Sequence, residues 1–337
     1  MKMAIISVSD KGKELALNLK EKLDSDSTII KCDLYHKNVK KYFPILFYEY
    51  DAIVAIMASG ILIRSIAPLI KSKITDPAVL NIDDNGKFVI STLSGHLGGA
   101  NELTGKISKL IGATPVITTS TDVNKKLGID VLARDLYLSI ENTKEILYFN
   151  KAILECREIS LTVNPNKNFN YLFEYLSNNT LEINVSIYYS SKMNSDEILA
   201  TLDEHELILK EKKVVVGIGC RRGKPCKDIY EGFIKSLNDL NILPCRVNLL
   251  ASAEIKKDEQ GILELSEKLD IPVEFVELDK LKLFESNDVA KSEFVYSKFG
   301  IYGVCEPSAL IMAGFNSKLV YKKTSYDGVT ISVAVSS

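Results

Sequence analysis

Along the first third of the chain, short apolar runs alternate with stretches whose apolar residues recur at helical spacing. MAIISV (3–8) predicts a strand and KGKELALNLKEKL (11–23) an amphipathic helix. AIVAIM (52–57) is a continuous β-type run, as a strand covered on both faces requires. ILIRSIAPLI (61–70) follows as a helix or turn carrying Arg64. AVLNI and FVIST predict a hairpin closed around DDNG, because Asn-Gly suits the positive dihedrals of a tight turn. GANELTGKISKLIG (99–112) has helical spacing, and TPVITT continues as a strand. From residue 126 the pattern loosens into polar, aromatic and charged stretches, which predicts a smaller, less regular middle module over 126–210. Alternation resumes with KKVVVGIGCRRGKPC, read as a strand, a glycine turn and a helix start, followed by the helix CKDIYEGFIKSLNDL, the strand PCRVNLLAS, the helix KKDEQGILELSEKLD and the strand IPVEFV. IYGVCEPSALIMAG reads as strand, turn and helix, and SKLVYKK with GVTISVAV as a terminal antiparallel pair. The predicted class is α/β: two α/β/α sandwich-type domains with mostly parallel sheets, at 1–125 and 211–337, joined by the middle module.

Composition narrows this picture. The 337 residues suffice for two or three domains, and 46% hydrophobic with 26% charged residues fits a packed globular chain. A net charge of −2 argues against a general nucleic-acid binder. No apolar run approaches the roughly 20 residues of a membrane helix. The opening MKMAIISVSDKG lacks a signal peptide's length and cleavage pattern. No membrane association and a cytoplasmic setting are therefore expected. Cys32, Cys156, Cys220, Cys226, Cys245 and Cys305 form no C-x-x-C pair, so reduced thiols are expected rather than a zinc site or a disulfide framework.

Candidate chemistry falls at three expected strand–loop–helix junctions, Ser94–Asn101, Gly217–Gly223 and Gly303–Ser308. Open α/β sheets bind ligands outside the carboxyl ends of strands, and helix N-termini there suit anions. In GIGCRRG (217–223), Gly217, Gly219 and Gly223 allow a tight turn and close backbone approach, and Arg221 and Arg222 add planar cations that grip carboxylates or phosphates. A plain turn with solvated arginines is the alternative. The spacing is G-x-G-x-x-x-G rather than the dinucleotide G-x-G-x-x-G, and the next strand lacks an acidic ribose ligand. Only Arg246, as a contact for a 2′-phosphate, keeps an NADP reading open. Cys220, beside two arginines at an expected helix start, is either a thiol of depressed pKa or a small residue fitting a turn.

TLSGHLGGANELTG (92–105) sets His96, one of three histidines, among Gly95, Gly98 and Gly99, with Ser94, Asn101 and Glu102 close by. VITTSTD (116–122) ends in Asp122. If that strand is adjacent, Asp122 can orient the imidazole. A His–carboxylate pair beside glycine N–H groups can activate water and stabilise an oxyanion. Equally, His96 can brace the loop while Asp122 caps a helix. His36 and His205 lie in polar stretches and read as solvated. Glu306, just before Pro307 at a helix start, is favourable there for structural reasons alone.

Four segments together, 63–122, VVVGIGCRRG (214–223), LASAEIKKDEQGILELSEKL (250–269) and GVCEPSALIMAG (303–314), resemble the CbiG family of cobalamin biosynthesis proteins. SGHLGGAN followed by GIGCRRG is the specific part, and the middle module matches only in position and length. The resemblance implies a cobalt-precorrin-5A hydrolase. Water opens the lactone of cobalt-precorrin-5A, and acetaldehyde leaves to give cobalt-precorrin-5B on the anaerobic route to vitamin B12. Cobalt arrives with the substrate, so the resemblance implies no cofactor and no metal site. The substrate is a flat apolar disc rimmed with carboxylates, which suits Arg64, Arg221 and Arg222 as rim contacts. Ser94, Gly95, Gly98, Gly99, Asn101, Gly217, Gly219 and Glu306 complete the expected substrate-binding set. His96 is assigned the base, with Asp122 or Glu102 as its partner and the Gly98–Gly99 backbone as oxyanion donor. A carrier that delivers the tetrapyrrole without chemistry is the second reading and an NADP-dependent reductase the third. Neighbouring pathway enzymes and a second copy of the chain stay open as partners.

Overall fold

The computed structural model describes residues 1–337, apart from the side chain of Phe294. The chain forms two compact units. One takes Met1–Arg134, Ile140–Asn166 and Asn179–Leu209; the other takes Asp135–Ser139, Lys167–Asn178 and Lys210–Ser337.

The first unit begins with β1 (Lys2–Ser7), α1 (Asp10–Asp24), β2 (Lys31–His36), α2 (Val39–Glu49), β3 (Ala52–Ile56) and α3 (Ser59–Ile66). It continues with β4 (Ala78–Ile82), β5 (Phe88–Leu93), α4 (Ala100–Ile111), β6 (Thr114–Val116) and the short α5 (Ser120–Val123). The Ser9 hydroxyl accepts the Gly12 N–H at 2.9 Å and caps α1, whose buried stripe is Ala16, Leu19 and Leu23. The strands lie in the order β2-β1-β3-β4-β5-β6, and all neighbours are parallel except the β4–β5 hairpin. Met3, Ile5, Val54 and Leu80 pack under α1 and α4 on one face, and Ala4, Ile6, Ile53 and Ala55 under α2 and α3 on the other. This is the expected α/β/α sandwich. Antiparallel pairing puts the end of β5 beside the start of β4, with Leu93 opposite Val79. The His96 loop therefore leaves at the amino edge of the parallel strands β3 and β4.

The middle stretch, expected to be irregular, holds α6 (Ile129–Asp135), β7 (Leu138–Ile140), α7 (Ile146–Leu154) and β8 (Ile159–Val163). It also holds α8 (Asn170–Asn178), β9 (Val185–Tyr189), β10 (Glu197–Leu202) and β11 (His205–Glu211). The strands β11-β10-β8-β9 are neighbours in that order. In β8 and β10 every second residue is buried, the signature of a sheet covered on one face.

The second unit contains β12 (Val214–Cys220), α9 (Cys226–Asp239), β13 (Leu249–Ala253), α10 (Gln260–Leu269) and β14 (Val273–Val276). After these come α11 (Leu278–Leu283), α12 (Glu293–Phe299), α13 (Cys305–Ala313), β15 (Lys318–Tyr326) and β16 (Val329–Val335). The sheet β14-β13-β12-β16-β15 is parallel through β12 and antiparallel beyond it. Ile229, Phe233 and Leu237 of α9 and Ile262 and Leu265 of α10 build its core, while α13 lies against β12, β13 and β16.

Two expectations need correction here. Ile301–Val304 form no strand, so α13 is not preceded by a strand–loop junction. Gly217 and Gly219 lie inside β12 rather than in a turn. A Cβ on Gly217 would stand 2.0 Å from the Cys305 carbonyl oxygen, and one on Gly219 would stand 2.6 Å from Thr330 Oγ1. Both glycines serve close packing. Only Gly223 takes a turn conformation, with φ +73°. Among the described residues no helix is long and apolar enough to cross a membrane.

Candidate active site

The loop from Ser94 to Gly99 closes on itself before α4 begins. Ala100 N–H donates to Ser94 O at 3.1 Å, Asn101 N–H to Gly95 O at 3.0 Å, and Gly99 N–H to His96 O at 2.9 Å. The closure leaves no room for side chains. A Cβ on Gly98 would lie 2.5 Å from Ser94 Cβ, and one on Gly95 would lie 2.7 Å from Asn101 Oδ1. Gly99 takes φ +81°, and Ser94 holds φ +57° without being glycine, a conformation that costs energy and is kept only when its surroundings dictate it. The buried Asn101 carboxamide ties the loop to its neighbours. Its Oδ1 accepts from Ser91 Oγ at 2.6 Å, and its Nδ2 donates to Thr119 Oγ1 and Asp122 Oδ2, each at 3.0 Å.

His96 sits between two carboxylates. Its Nε2 lies 2.8 Å from Asp122 Oδ2 and 3.0 Å from Thr121 Oγ1. Its Nδ1 lies 3.1 Å from both oxygens of Asp130. Asp130 is itself held, with Asn150 Nδ2 donating to its Oδ1 at 2.9 Å, while Asn150 Oδ1 accepts the Ile129 N–H at 2.9 Å. The side chain of Asp130 is 4% exposed and that of Asp122 27%, so the second carboxylate is the one that meets solvent. Burial works against a charged imidazole here. The hydrogen bonds and charges of Asp122 and Asp130 outweigh it and raise His96 to about 9. The same contacts, against the opposing effect of burial, hold both aspartates below the ordinary carboxylate value. At neutral pH the cluster is therefore one imidazolium between two carboxylates.

Of the residues expected here, Ser94, Gly95, His96, Gly98, Gly99, Asn101 and Asp122 come together. Glu102 does not join His96. It is exposed on α4 and pairs with Arg134 at 3.3 Å, whose Nη1 donates to the His96 carbonyl at 2.7 Å. The expected base also finds both ring nitrogens occupied. Of the expected oxyanion donors, Gly99 N–H is spent on His96 O, while Gly98 N–H has no partner among the described residues. Asp130, Asn150, Arg134 and Gly128 were missed. A Cβ on Gly128 would stand 2.8 Å from Asp130 Oδ1 and 3.4 Å from His96 Cε1. The available signal was a lone acid inside the apolar stretch LGIDVLA (127–133), since a buried carboxylate demands a partner.

The other candidates make their own local contacts. Arg64 is exposed on α3 and folds back over Gly60. In the second unit, Arg221 is exposed, and Arg222 pairs with Asp258 at 2.6 Å and Glu259 at 3.4 Å. Glu306 is buried with both oxygens taken, by Ala290 N–H at 2.9 Å and Lys323 N–H at 2.8 Å. Cys220 ends β12 six residues before α9 starts, and burial pushes its thiol up rather than down. Arg246 is 2% exposed, and its guanidinium is consumed inside the second unit. It donates to the carbonyls of Leu136 (2.8 Å), Tyr137 (2.9 Å) and Lys212 (2.6 Å) and to Asn248 Oδ1 (2.8 Å). With four of its five N–H groups committed and the side chain buried, it does not present a fork to a 2′-phosphate, which removes the support for the NADP reading. His36 and His205 are not simply solvated. His36 Nδ1 lies 2.9 Å from Ser7 Oγ, and His205 Nδ1 lies 2.7 Å from Glu145 Oε2 while its ring stacks on Tyr148.

The pattern described as Cobalamin synthesis G N-terminal matches residues 41–122, and Cobalamin synthesis G C-terminus matches 214–334. The chain is 31% identical over 361 residues to the cobalt-precorrin-5A hydrolase of Priestia megaterium, covering 98% of this chain and 94% of that protein. It is 33% identical over 347 residues to a protein of Methanocaldococcus jannaschii named "Probable cobalt-precorrin-5A hydrolase", covering 99% of each. The crystal structure of a cobalamin biosynthesis protein G homolog from Sulfolobus solfataricus matches with a TM-score of 0.63 and 27% identity, over 100% of this chain and 97% of that one. Matches at both ends and over nearly the full length carry one conclusion: the chain belongs to the CbiG family.

Proposed function

We infer that this chain is a cobalt-precorrin-5A hydrolase. The relatives it matches over nearly their whole length carry that name. One observation here supplies the chemistry, the solvent-facing Asp122 locked by His96 at the glycine loop. The Asp122 contacts with His96, Asn101 and Thr121 all meet Oδ2, which leaves Oδ1 to take a proton. In this reading Asp122 Oδ1 accepts a proton as water oxygen bonds to the lactone carbonyl carbon. The acyl C–O bond then breaks, and the departing alkoxide takes the proton back from Asp122. Gly98 N–H is the candidate donor to the oxyanion. Arg64, Arg221 and Arg222 are the candidates for the carboxylates on the substrate rim. The scheme needs no cofactor, and cobalt enters as part of the substrate. Release of the two-carbon fragment as acetaldehyde completes the reaction the family resemblance implies.

Anaerobic incubation with cobalt-precorrin-5A and an acetaldehyde assay tests the reading. Stoichiometric, protein-dependent acetaldehyde is the expected result. A shifted substrate spectrum without acetaldehyde would favour the carrier instead.

A further inference from the structure

We propose that Asp130, backed by Asn150, is a positioning residue that holds His96 as a fixed imidazolium, so that His96 locks Asp122 in place rather than serving as the base. The inference rests on the hydrolase reading for its catalytic consequence and on geometry for the rest. Both oxygens of Asp130 face Nδ1 at 3.1 Å, and the carboxylate is nearly sealed from solvent. Asn150 spends its Nδ2 on Asp130 and its Oδ1 on the Ile129 N–H, so the carboxylate cannot rotate away without breaking a chain of bonds. Gly128 leaves the space that lets Asp130 approach the ring. An anion fixed on Nδ1 keeps the proton on that nitrogen, and the other proton then points along the 2.8 Å bond to Asp122.

The charged groups facing His96 are few. Asp122 comes from α5 and Asp130 from α6. Arg134, also from α6, reaches the His96 carbonyl and is partly neutralised by Glu102 from α4. Two carboxylates at hydrogen-bond distance outweigh one arginine on the backbone, and the imidazolium is the form that all these contacts satisfy.

The test is a ring-resonance NMR titration of the ligand-free protein, in which only three histidines need assignment. Wild-type His96 should stay protonated through neutral pH and titrate near 9. Asp130→Asn should lower that midpoint by about one unit or more, and Asn150→Ser should lower it by less, with the His36 and His205 signals unmoved as evidence of an intact fold. In turnover, the alkaline fall of kcat should move down in step with the titration, at nearly constant KM. A wild-type midpoint near the ordinary value of 6.5, or one that ignores Asp130→Asn, would overturn the proposal. The two readings fail separately. Normal acetaldehyde release with an unperturbed His96 removes the clamp and keeps the hydrolase, whereas the expected titration without acetaldehyde keeps the clamp and removes the hydrolase.

Discussion

Three acidic residues from three helices close to the His96 loop have sharply different duties. Asp122 is half open to solvent with one oxygen pinned, Asp130 is sealed, and Glu102 is exposed and committed to Arg134. If Asp122 handles the proton, Asp122→Asn should lower acetaldehyde release about 10²- to 10⁴-fold while circular dichroism stays unchanged. Glu102→Ala should stay within a few-fold of wild type, because its ion pair is exposed and worth about 1 kcal/mol at most. Equal losses from both substitutions would contradict this division of labour. The sequence made Asp122 legible because it ends a polar TTSTD run one strand away from the loop. Asp130 was hidden because it sits 34 residues from His96 in an apolar helix start, where spacing says nothing about distance in the fold.

Elements are where local reading was strongest and also where it misassigned the glycines. A hairpin, a continuous buried strand and amphipathic helices each leave their own periodicity, and these appear where the pattern put them. Gly217 and Gly219 looked like a turn because glycine clusters usually mark one. Gly217 makes room for α13, nearly 90 residues later in the chain, whose Cys305 carbonyl needs the space, and Gly219 makes room for Thr330 of β16. Gly217→Ala should therefore destabilise by about 3 kcal/mol, since the clash is with backbone and cannot be relieved by a rotamer change. Urea unfolding checks this, and a variant of unchanged midpoint would mean that α13 seats elsewhere. Arg246 gives the complementary case. Arg246→Leu keeps the apolar contact but strands the Leu136 and Lys212 carbonyls, while Tyr137 O keeps the Lys212 N–H, and the expected loss is about 3 kcal/mol. Lysine would not rescue it, because one ammonium cannot reach sites spread around a planar fork.

At the scale of the whole molecule, the α/β class and both sandwiches were legible, and the middle stretch was not. Its strands are short, alternate on one face and are separated by polar spacers, a weaker signal than a fully buried strand. The sheet orders likewise depend on pairings that no single run encodes. The His96 cluster nonetheless gives the folded chain a pH response of its own. His96 is raised from 6.5 to about 9 on folding, so its contribution is complete below 6.5 and is lost as pH rises through 9. Asp122 and Asp130 are lowered from 3.8, so theirs is present above that value and lost as pH falls through the depressed range. From pH 3.8 to 6.5 the cluster's stabilisation should be flat. Thermal unfolding of wild type and His96→Gln, measured from pH 5 to 10, isolates the alkaline part. The gap in Tm should be widest and constant up to pH 6.5, then shrink steadily towards pH 9 as the wild-type cation disappears. A gap of the same size at pH 6 and pH 9.5 would mean that His96 is neutral in the folded protein, and the charged clamp would have to be abandoned.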